Sequence, residues 1–235
     1  MENLNQCELT IVLPAYNEDK RLEKCINKTI KTANLLNIKY EIIISENGST
    51  DTTYEIAENL SKKYDFIHLL HNDIPSLSGA IKNAYSIANG NVVVNLDVDL
   101  ATDMSYFKEL VDYSKYYDVV TGSRYIDETL VKRNLSRYIL SQIFNKILIR
   151  GLLRSKLKDN NCGFRAIRKN IGIELFNDVQ DEGVFGLIEF IILAQRKGYS
   201  IKEFPVRWRE NPRKITIKDI LNYLIPGIKL IIRLL

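Results

Sequence analysis

Along the first half of the chain, short apolar runs alternate with longer stretches whose apolar positions recur every three or four residues. Leu9–Leu13, Tyr40–Ser45, Phe66–Leu70, Asn91–Leu96 and Val119–Thr121 read as strands. Asp19–Leu36, Asp51–Tyr64, Leu77–Ala88 and Met104–Tyr116 read as the helices between them. The strands are continuous Val/Ile/Leu runs, the mark of strands buried on both faces, so the sheet they form is mostly parallel and covered by helices. Right-handed crossovers then give an α/β, doubly wound fold with helices on both faces. Such sheets gather ligands at the carboxyl ends of their strands. Three of those ends carry Pro14–Glu18, Glu46–Asp51 and Asp97–Asp103, polar groups where a cleft should open.

The second half changes character. Leu135–Arg154 is a long helical stretch interrupted by Gly151, Gly183–Lys197 a mostly apolar helix, and Tyr199–Val206 a strand. Ile215–Leu235 closes the chain as an amphipathic segment that Pro226-Gly227 should kink or divide. Its Lys218, Asn222, Lys229 and Arg233 share a narrow face, opposite a wide arc of Ile and Leu, at about 100° per residue. That pattern suits an interfacial membrane helix and equally a helix packed on the domain. No internal repeat or Pro/Gly-rich linker divides residues 1–214, so one domain with a helical elaboration over 215–235 is expected.

Composition narrows the class. The 235 residues are 46% hydrophobic and 26% charged, enough for one large core. Cys7, Cys25 and Cys162 are odd in number and scattered, which argues for a reduced, cytoplasmic setting and against a disulfide framework or a zinc site. His68 and His71 lie in or beside a strand and read as structural residues, not a metal pair. No apolar run reaches the roughly 18 residues of a membrane span, and no signal-peptide pattern is seen. Net charge is +4, but residues 129–158 hold eight Lys/Arg and no acid, leaving 25 basic against 29 acidic residues elsewhere. A basic segment on an acidic body points to a local anionic partner, and nothing in the motifs points to nucleic acid.

The sharpest chemical feature is Asp97-Val98-Asp99 at the end of the run Asn91–Leu96. Two carboxylates two residues apart leave a strand on one face and repel unless a cation sits between them. A hard divalent cation, Mg²⁺ or Mn²⁺, carrying substrate phosphates answers that need. Taken alone, such a pair is more often a polar strand exit.

The surrounding motifs decide the reading. Leu13-Pro14-Ala15-Tyr16-Asn17-Glu18, Ser45-Glu46-Asn47-Gly48-Ser49-Thr50-Asp51 and Asp97-Val98-Asp99-Leu100-Ala101-Thr102-Asp103, in that order, resemble the family 2 glycosyltransferases of the GT-A fold. Thr121–Tyr125, Asp159–Arg165 and Glu203-Phe204-Pro205-Val206 extend the resemblance to the dolichyl-phosphate (polyprenyl-phosphate) mannose and glucose synthases, over nearly the whole chain. The resemblance implies transfer of a hexose, with inversion, from a nucleotide diphosphate sugar such as UDP-glucose or GDP-mannose to a polyprenyl (dolichyl-type) phosphate. The enzyme would act as a peripheral protein on the cytoplasmic face of a membrane. It also implies a nucleotide-sugar half over 1–125 and an acceptor half over 126–214.

By the same resemblance, Pro14, Ala15 and Tyr16 wall the base, Glu18 reaches the nucleotide, and Glu46 and Asn47 meet the base or ribose. Asp97 and Asp99 bind the metal; with Arg124 they form the catalytic set. Arg124, Arg137 and Ser141 grip the acceptor phosphate, Arg137 and Ser141 being four apart on one helical face. Lys146, Arg150 and Arg154 form a separate basic face of that helix or a solvated charge run. One of Ser49, Thr50 or Asp51, and separately Asp103, should cap the helices that follow them.

A phosphate acceptor, with a second pKa of about 6, is already a nucleophile and requires no base. A glycan hydroxyl acceptor would require one, and Glu189 is the candidate unless it pairs with a nearby Arg. A catalytically silent membrane-binding module is the remaining alternative.

The chain departs from the family pattern in several places. Glu46 and Asn47 replace acids of other length or charge. Asn72–Gly79 supplies no basic residue, Asp127-Glu128 stands for a glycine pair, and Arg213-Lys214 for a Ser-Lys pair. Arg213 or Lys214 is then expected to bring charge from a loop.

Overall fold

A computed structural model describes residues 7–132, 135–209 and 216–234. Seven strands form one sheet in the order β3-β2-β1-β4-β7-β5-β8. They are β1 (Leu9–Ala15), β2 (Tyr40–Glu46), β3 (Ile67–His71), β4 (Val92–Asn95), β5 (Val119–Ser123), β7 (Arg165–Arg168) and β8 (Ile201–Pro205). All neighbours run parallel except β7, which is antiparallel to both β4 and β5. The short strands β6 (Val131–Lys132) and β9 (Trp208–Arg209) pair separately. The mostly parallel, doubly wound sheet matches the sequence pattern.

Alternate residues of each strand feed two cores. Leu9, Ile11 and Leu13 of β1, with Ile42 and Ile44 of β2, pack under α1 (Leu22–Ala33), α2 (Thr53–Lys63) and α4 (Phe107–Ser114). Val12, Ile43 and Val93 face α3 (Leu77–Ile87), α6 (Lys169–Asp178) and α7 (Gly186–Arg196) on the other side. Burial of each Val, Ile or Leu stabilises by ~1.5–3 kcal/mol, so a strand with apolar residues on both faces has no register in which water reaches it.

The order of the sheet places a crevice. The connections from β1 to β2 and β3 run to one side and those after β4 to the other, so the strand order reverses between β1 and β4. Loops leaving the carboxyl ends of strands at such a reversal splay apart and leave a ligand-sized gap. Pro14–Glu18 and Asp97–Asp103 lie on its two sides.

The C-terminal half departs from an ideal helix pattern. α5 (Leu135–Phe144) continues without a break into a π-helical stretch over Asn145–Leu152, where Leu153 N–H donates to Leu148 C=O five residues back. The stretch ends at Leu152, and Arg154 just beyond it adopts φ 59°. The wheel that set Lys146, Arg150 and Arg154 at α-helical angles therefore does not apply to them. α8 (Ile217–Leu234) continues as one helix through Pro226, so the segment is not divided there. Its Tyr223, Gly227 and Leu230 turn inward, and Leu230 packs with Leu148, Ile149 and Phe185 in a third apolar cluster.

Candidate donor and acceptor site

Leu96 and Val98 are buried beyond the end of β4, which turns the side chains between and after them outward. Asp97 is open to the cleft and Asp99 partly so. Asp99 Oδ1 accepts from Ala101 N–H at 2.9 Å, and the turn closes through Leu100 N–H to Asp97 C=O at 3.1 Å. Gly163 backs the pair so tightly that a Cβ there would stand 2.4 Å from Asp97 Oδ1. Protein crowds Asp97 on every side but its open one. That crowding and the Asp99 carboxylate push its pKa up to about 6, while Arg124 and Arg165 pull the other way.

Two acceptor-only carboxylates two residues apart fit a hard divalent cation. Among the described residues no group of three or more His, Cys, Asp or Glu side chains could hold an ion alone. A cation bound at Asp97 and Asp99 would therefore complete its shell with ligand phosphates and water.

On the β1–β2 side the loops are tied to one another. Asn17, at φ 54°, accepts Thr50 N–H at 2.9 Å through Oδ1. Asn17 N–H in turn donates to Ser49 Oγ, and Glu18 N–H to Thr53 Oγ1 at 2.7 Å. The N-cap of α2 is Thr52, which makes no side-chain cap, and none of Ser49, Thr50 and Asp51 takes that position; Asp51, one residue earlier, accepts Thr53 N–H at 2.9 Å. Asp103 likewise accepts Ser105 N–H ahead of α4. Of the three residues expected to wall a base, Ala15 is fully buried, Pro14 half-buried, and Tyr16 46% exposed. Glu18 pairs with Arg21 at 2.6 Å. Partial burial and the nearby Asp99 and Asp51 carboxylates still hold its pKa above the usual range.

Glu46 and Asn47 both brace the protein itself. Glu46 is fully buried; Oε1 accepts Ser49 N–H at 2.6 Å and Oε2 meets His71 Nδ1 at 2.5 Å. Burial raises its pKa, but the Ser49 and His71 contacts outweigh it and hold the carboxyl below its usual range. Asn47 Oδ1 accepts Ser76 N–H at 2.9 Å, at the start of α3. Gly48 (φ 68°) abuts the 72–75 turn, where a Cβ would stand 2.9 Å from the Asp73 carbonyl oxygen.

Of the acceptor-side candidates, Arg124 lies within electrostatic reach of Asp97. Arg124 follows β5, and Asp159 grips it through Nε at 2.6 Å, Nη2 at 2.8 Å and the backbone N–H at 3.0 Å, leaving Nη1 outside the pair. Its guanidinium lies 5.3 Å from the Trp208 ring and 5.8 Å from the Tyr125 ring. Tyr125 donates to Ser141 Oγ at 3.1 Å, which brings the α5 face to Arg124. Arg137 is in α5, but its side chain lies outside the described residues, as do Arg213 and Lys214. Burial raises the Asp159 pKa, and the Arg124 charge and hydrogen bonds more than reverse this.

Sequence reasoning gave no role to Asp159 or Trp208. Asp159 was legible only as the first residue of a motif. Trp208 matters because Thr102 of the Asp97–Asp103 loop bridges to it on one side and Val131 on the other. Glu189 is buried among apolar neighbours. It accepts Gln180 and Asp181 N–H at 3.0 Å and pairs with Arg233 of α8. Of the two readings of Glu189, the arginine pair is the one found.

The chain is similar to proteins of known class. The model of "Glycosyl transferase family 2" matches residues 10–176. The glycosyltransferase AglD of Haloferax volcanii is 37% identical over 222 residues, covering 92% of this chain and 35% of that protein. A dolichyl-phosphate beta-glucosyltransferase of Dictyostelium discoideum is 30% identical over 229 residues, covering 89% of this chain and 70% of its own length. The chain thus spans about a third of the first relative and about two thirds of the second. Among solved structures, glucosyl-3-phosphoglycerate synthase of Mycobacterium tuberculosis, in complex with Mn²⁺, uridine diphosphate and glucosyl-3-phosphoglycerate, superposes with a TM-score of 0.68. It covers 97% of this chain and 79% of its own at 16% identity, a likeness of fold. With the family model spanning most of its length and the GT-A architecture beneath it, this chain belongs to glycosyltransferase family 2.

Proposed function

We propose that this chain transfers a hexose, glucose by the names of its relatives, from a nucleotide diphosphate sugar to a polyprenyl (dolichyl-type) phosphate, inverting the anomeric centre. Residues 1–125 hold the donor, 126–214 the acceptor, and 215–235 set the domain against the cytoplasmic face of a membrane. The observation that carries the reading is the pair Asp97/Asp99, open at the strand-order reversal and within electrostatic reach of Arg124. The acid-free basic segment 129–158 adjoins it.

Each side chain then has a physical task. Tyr16 offers an exposed ring beside the strand ends for the base. A divalent cation at Asp97 and Asp99 would offset the charge that grows on the departing nucleoside diphosphate. Arg124, fixed by Asp159, presents its Nη1 edge to an anion, and Ser141 is hydrogen-bonded to the adjoining Tyr125. Holding two anions close together is the main barrier in such a reaction, and orientation plus fixed positive charge is what these residues supply. The acceptor phosphate attacks without a base. Glu189 supports this, since Arg233 and two backbone N–H groups already engage its carboxylate, which disfavours the glycan-hydroxyl reading.

The test incubates the protein with Mg²⁺ or Mn²⁺, polyprenyl phosphate and a panel of nucleotide sugars, and identifies the product by mass. A hexosyl lipid monophosphate is expected, lost in Asp99→Ala and reduced more than tenfold in Arg137→Ala. Glycosylation of a glycan hydroxyl instead, or donor left intact under every condition, overturns the reading.

A further inference from the structure

Residues 153–164, between the π-helical stretch and β7, form neither helix nor strand, yet they carry Asp159, which aims Arg124. Such a segment fixes a side chain only as firmly as its own backbone polar groups are held. The Lys158–Asp159 peptide is held at both ends. Asn145, the first residue of the π-helical stretch, donates through Nδ2 to the Lys158 carbonyl oxygen. Glu203 of β8 accepts Asp159 N–H at 2.6 Å through Oε1. Its Oε2 also accepts Lys158 N–H, at 3.0 Å. We propose that Glu203 is a positioning residue of the acceptor site: by fixing the Asp159 peptide it sets the direction of the Arg124 guanidinium, and so its grip on the acceptor phosphate. The proposal rests on the transfer reading above and gives a task to a residue that reading leaves without one.

The sheet brings the partners together. β8 runs parallel to β5 at the sheet's edge, with Glu203 level with Thr121 and Arg124 just past the end of β5. Phe204 packs in the first core, so Glu203, one residue earlier, faces the other side of the sheet. The 158–159 corner is thus fastened to β8 through Glu203 and to the exit of β5 through Asp159. Asp159 Oδ2 accepts Arg124 N–H and Nε, and Oδ1 accepts Nη2 and, at 3.1 Å, Asn161 N–H. With both oxygens engaged twice, the Asp159 side chain has only the freedom that its own backbone leaves it.

The course of the segment has other supports. Ser155 donates to Asn160 Oδ1, Gln195 of α7 accepts Lys156 N–H at 2.7 Å, and Arg165 donates to the Asn160 carbonyl oxygen at 2.8 Å. What Glu203 adds is orientation. Two successive N–H groups on the two oxygens of one carboxylate fix how the peptide is turned, which a single acceptor does not. Only a carboxylate offers two acceptor oxygens and no competing donor. A turned peptide would carry the Asp159 carboxylate, and with it the Nη1 edge of Arg124, away from the phosphate. A displacement of about 1 Å at such a contact costs on the order of 100-fold in rate.

The experiment measures hexose transfer to a short, water-soluble prenyl phosphate with MnCl₂ and whichever of UDP-glucose and GDP-mannose the wild type uses. Glu203→Gln keeps the shape but sets an amide N–H₂ against one of the two backbone donors. Its kcat/KM for the prenyl phosphate should fall about tenfold, the equivalent of one charge-assisted hydrogen bond. Glu203→Ala, with no acceptor at all, should lose about 100-fold. In both variants the KM for the nucleotide sugar should stay within about twofold, because the donor is held elsewhere. A third background separates aiming from bracing. Arg124→Met/Asp159→Leu removes both halves of the buried pair, so neither is left as a lone charge. There, adding Glu203→Gln should change the residual transfer by less than about twofold, since nothing remains to be aimed. Unchanged kcat/KM in Glu203→Ala, an equal rise in both KM values, or a full tenfold effect persisting in that background overturns the positioning role. A wild type that transfers hexose from neither donor overturns the transfer reading itself, so the two failures are told apart.

Discussion

Asp159 is 1% exposed and its partner Arg124 13%, so their pair is a buried one whose halves depend on each other. Asp159→Asn leaves a guanidinium without its counter-charge at a depth where water compensates poorly, a change of about 3 kcal/mol. The pH dependence has a definite sign. The carboxyl of Asp159 is held below its ordinary value of 3.8. Its contribution is therefore complete above that value and is lost as pH falls through the lower, folded one. The gap in melting temperature between wild type and Asp159→Asn should be constant from pH 5 to 8 and narrow below about pH 4. A gap that widens on acidification would contradict the pair. Gly163→Ala probes the neighbouring carboxylate by shape alone. The new Cβ meets the Asp97 carboxylate, a side-chain end that can swing aside. The protein should fold, while displacement of a ligand by about 1 Å costs on the order of 100-fold in turnover and abolishes stabilisation by Mn²⁺. That Asp97 and Asp99 face the cleft was legible, because burial of Leu96 and Val98 leaves no other direction. The inward commitment of Glu46 and Asn47 was not, because their partners His71 and Ser76 depend on how β3 and its loop register against β2.

At the scale of elements, legibility followed length and composition. The Val/Ile strands and their intervening helices were readable, since continuous apolar runs admit one burial pattern. β7, Arg-Ala-Ile-Arg, was not. Four residues with a charge at each end carry no periodic signal, and only the open edges of β4 and β5 make a strand of them. The π-helical stretch escaped for a related reason: its angle per residue differs from the one used to read the sequence. α8 shows how a pattern can be read correctly and its orientation left open. Arg233 at the end of its basic face pairs with Glu189 while Asn222 and Lys229 stay exposed, and much of the apolar arc turns outward. Arg233→Ala should free the last turns of α8, raising amide hydrogen exchange across 228–234 at least tenfold and leaving α7 protected. Unchanged exchange would mean that Leu230 and its apolar neighbours hold the helix unaided.

For the whole molecule, the open question is what meets that outward arc. No helix among the described residues is long and apolar enough to cross a membrane. Leu221, Leu224, Ile225, Ile228 and Ile232 of α8 are all large, apolar and exposed, as are Ile139, Ile143 and Ile147 on α5 and its continuation. Five half-exposed side chains on α8, each regaining about 1 kcal/mol on entering an apolar phase, amount to roughly 5 kcal/mol. That is comparable to a single acyl chain, sufficient for reversible binding and too little for a firm anchor. The basic segment supplies the second signal, at about 1 kcal/mol per Lys or Arg near an anionic surface. Binding to anionic vesicles should therefore weaken as salt rises and persist in part on neutral ones. Ile228 and Ile232, 52% and 69% exposed, touch this surface and little of the core. The double variant Ile228→Asp/Ile232→Asp should keep its melting temperature, lose vesicle co-sedimentation, and transfer hexose to a long-chain polyprenyl phosphate in bilayers at under a tenth of the wild-type rate. A short, water-soluble prenyl phosphate should still be glycosylated normally, because it reaches Arg124 without the membrane. Equal loss on both acceptors would place α8 in the site's own structure instead of at the lipid surface.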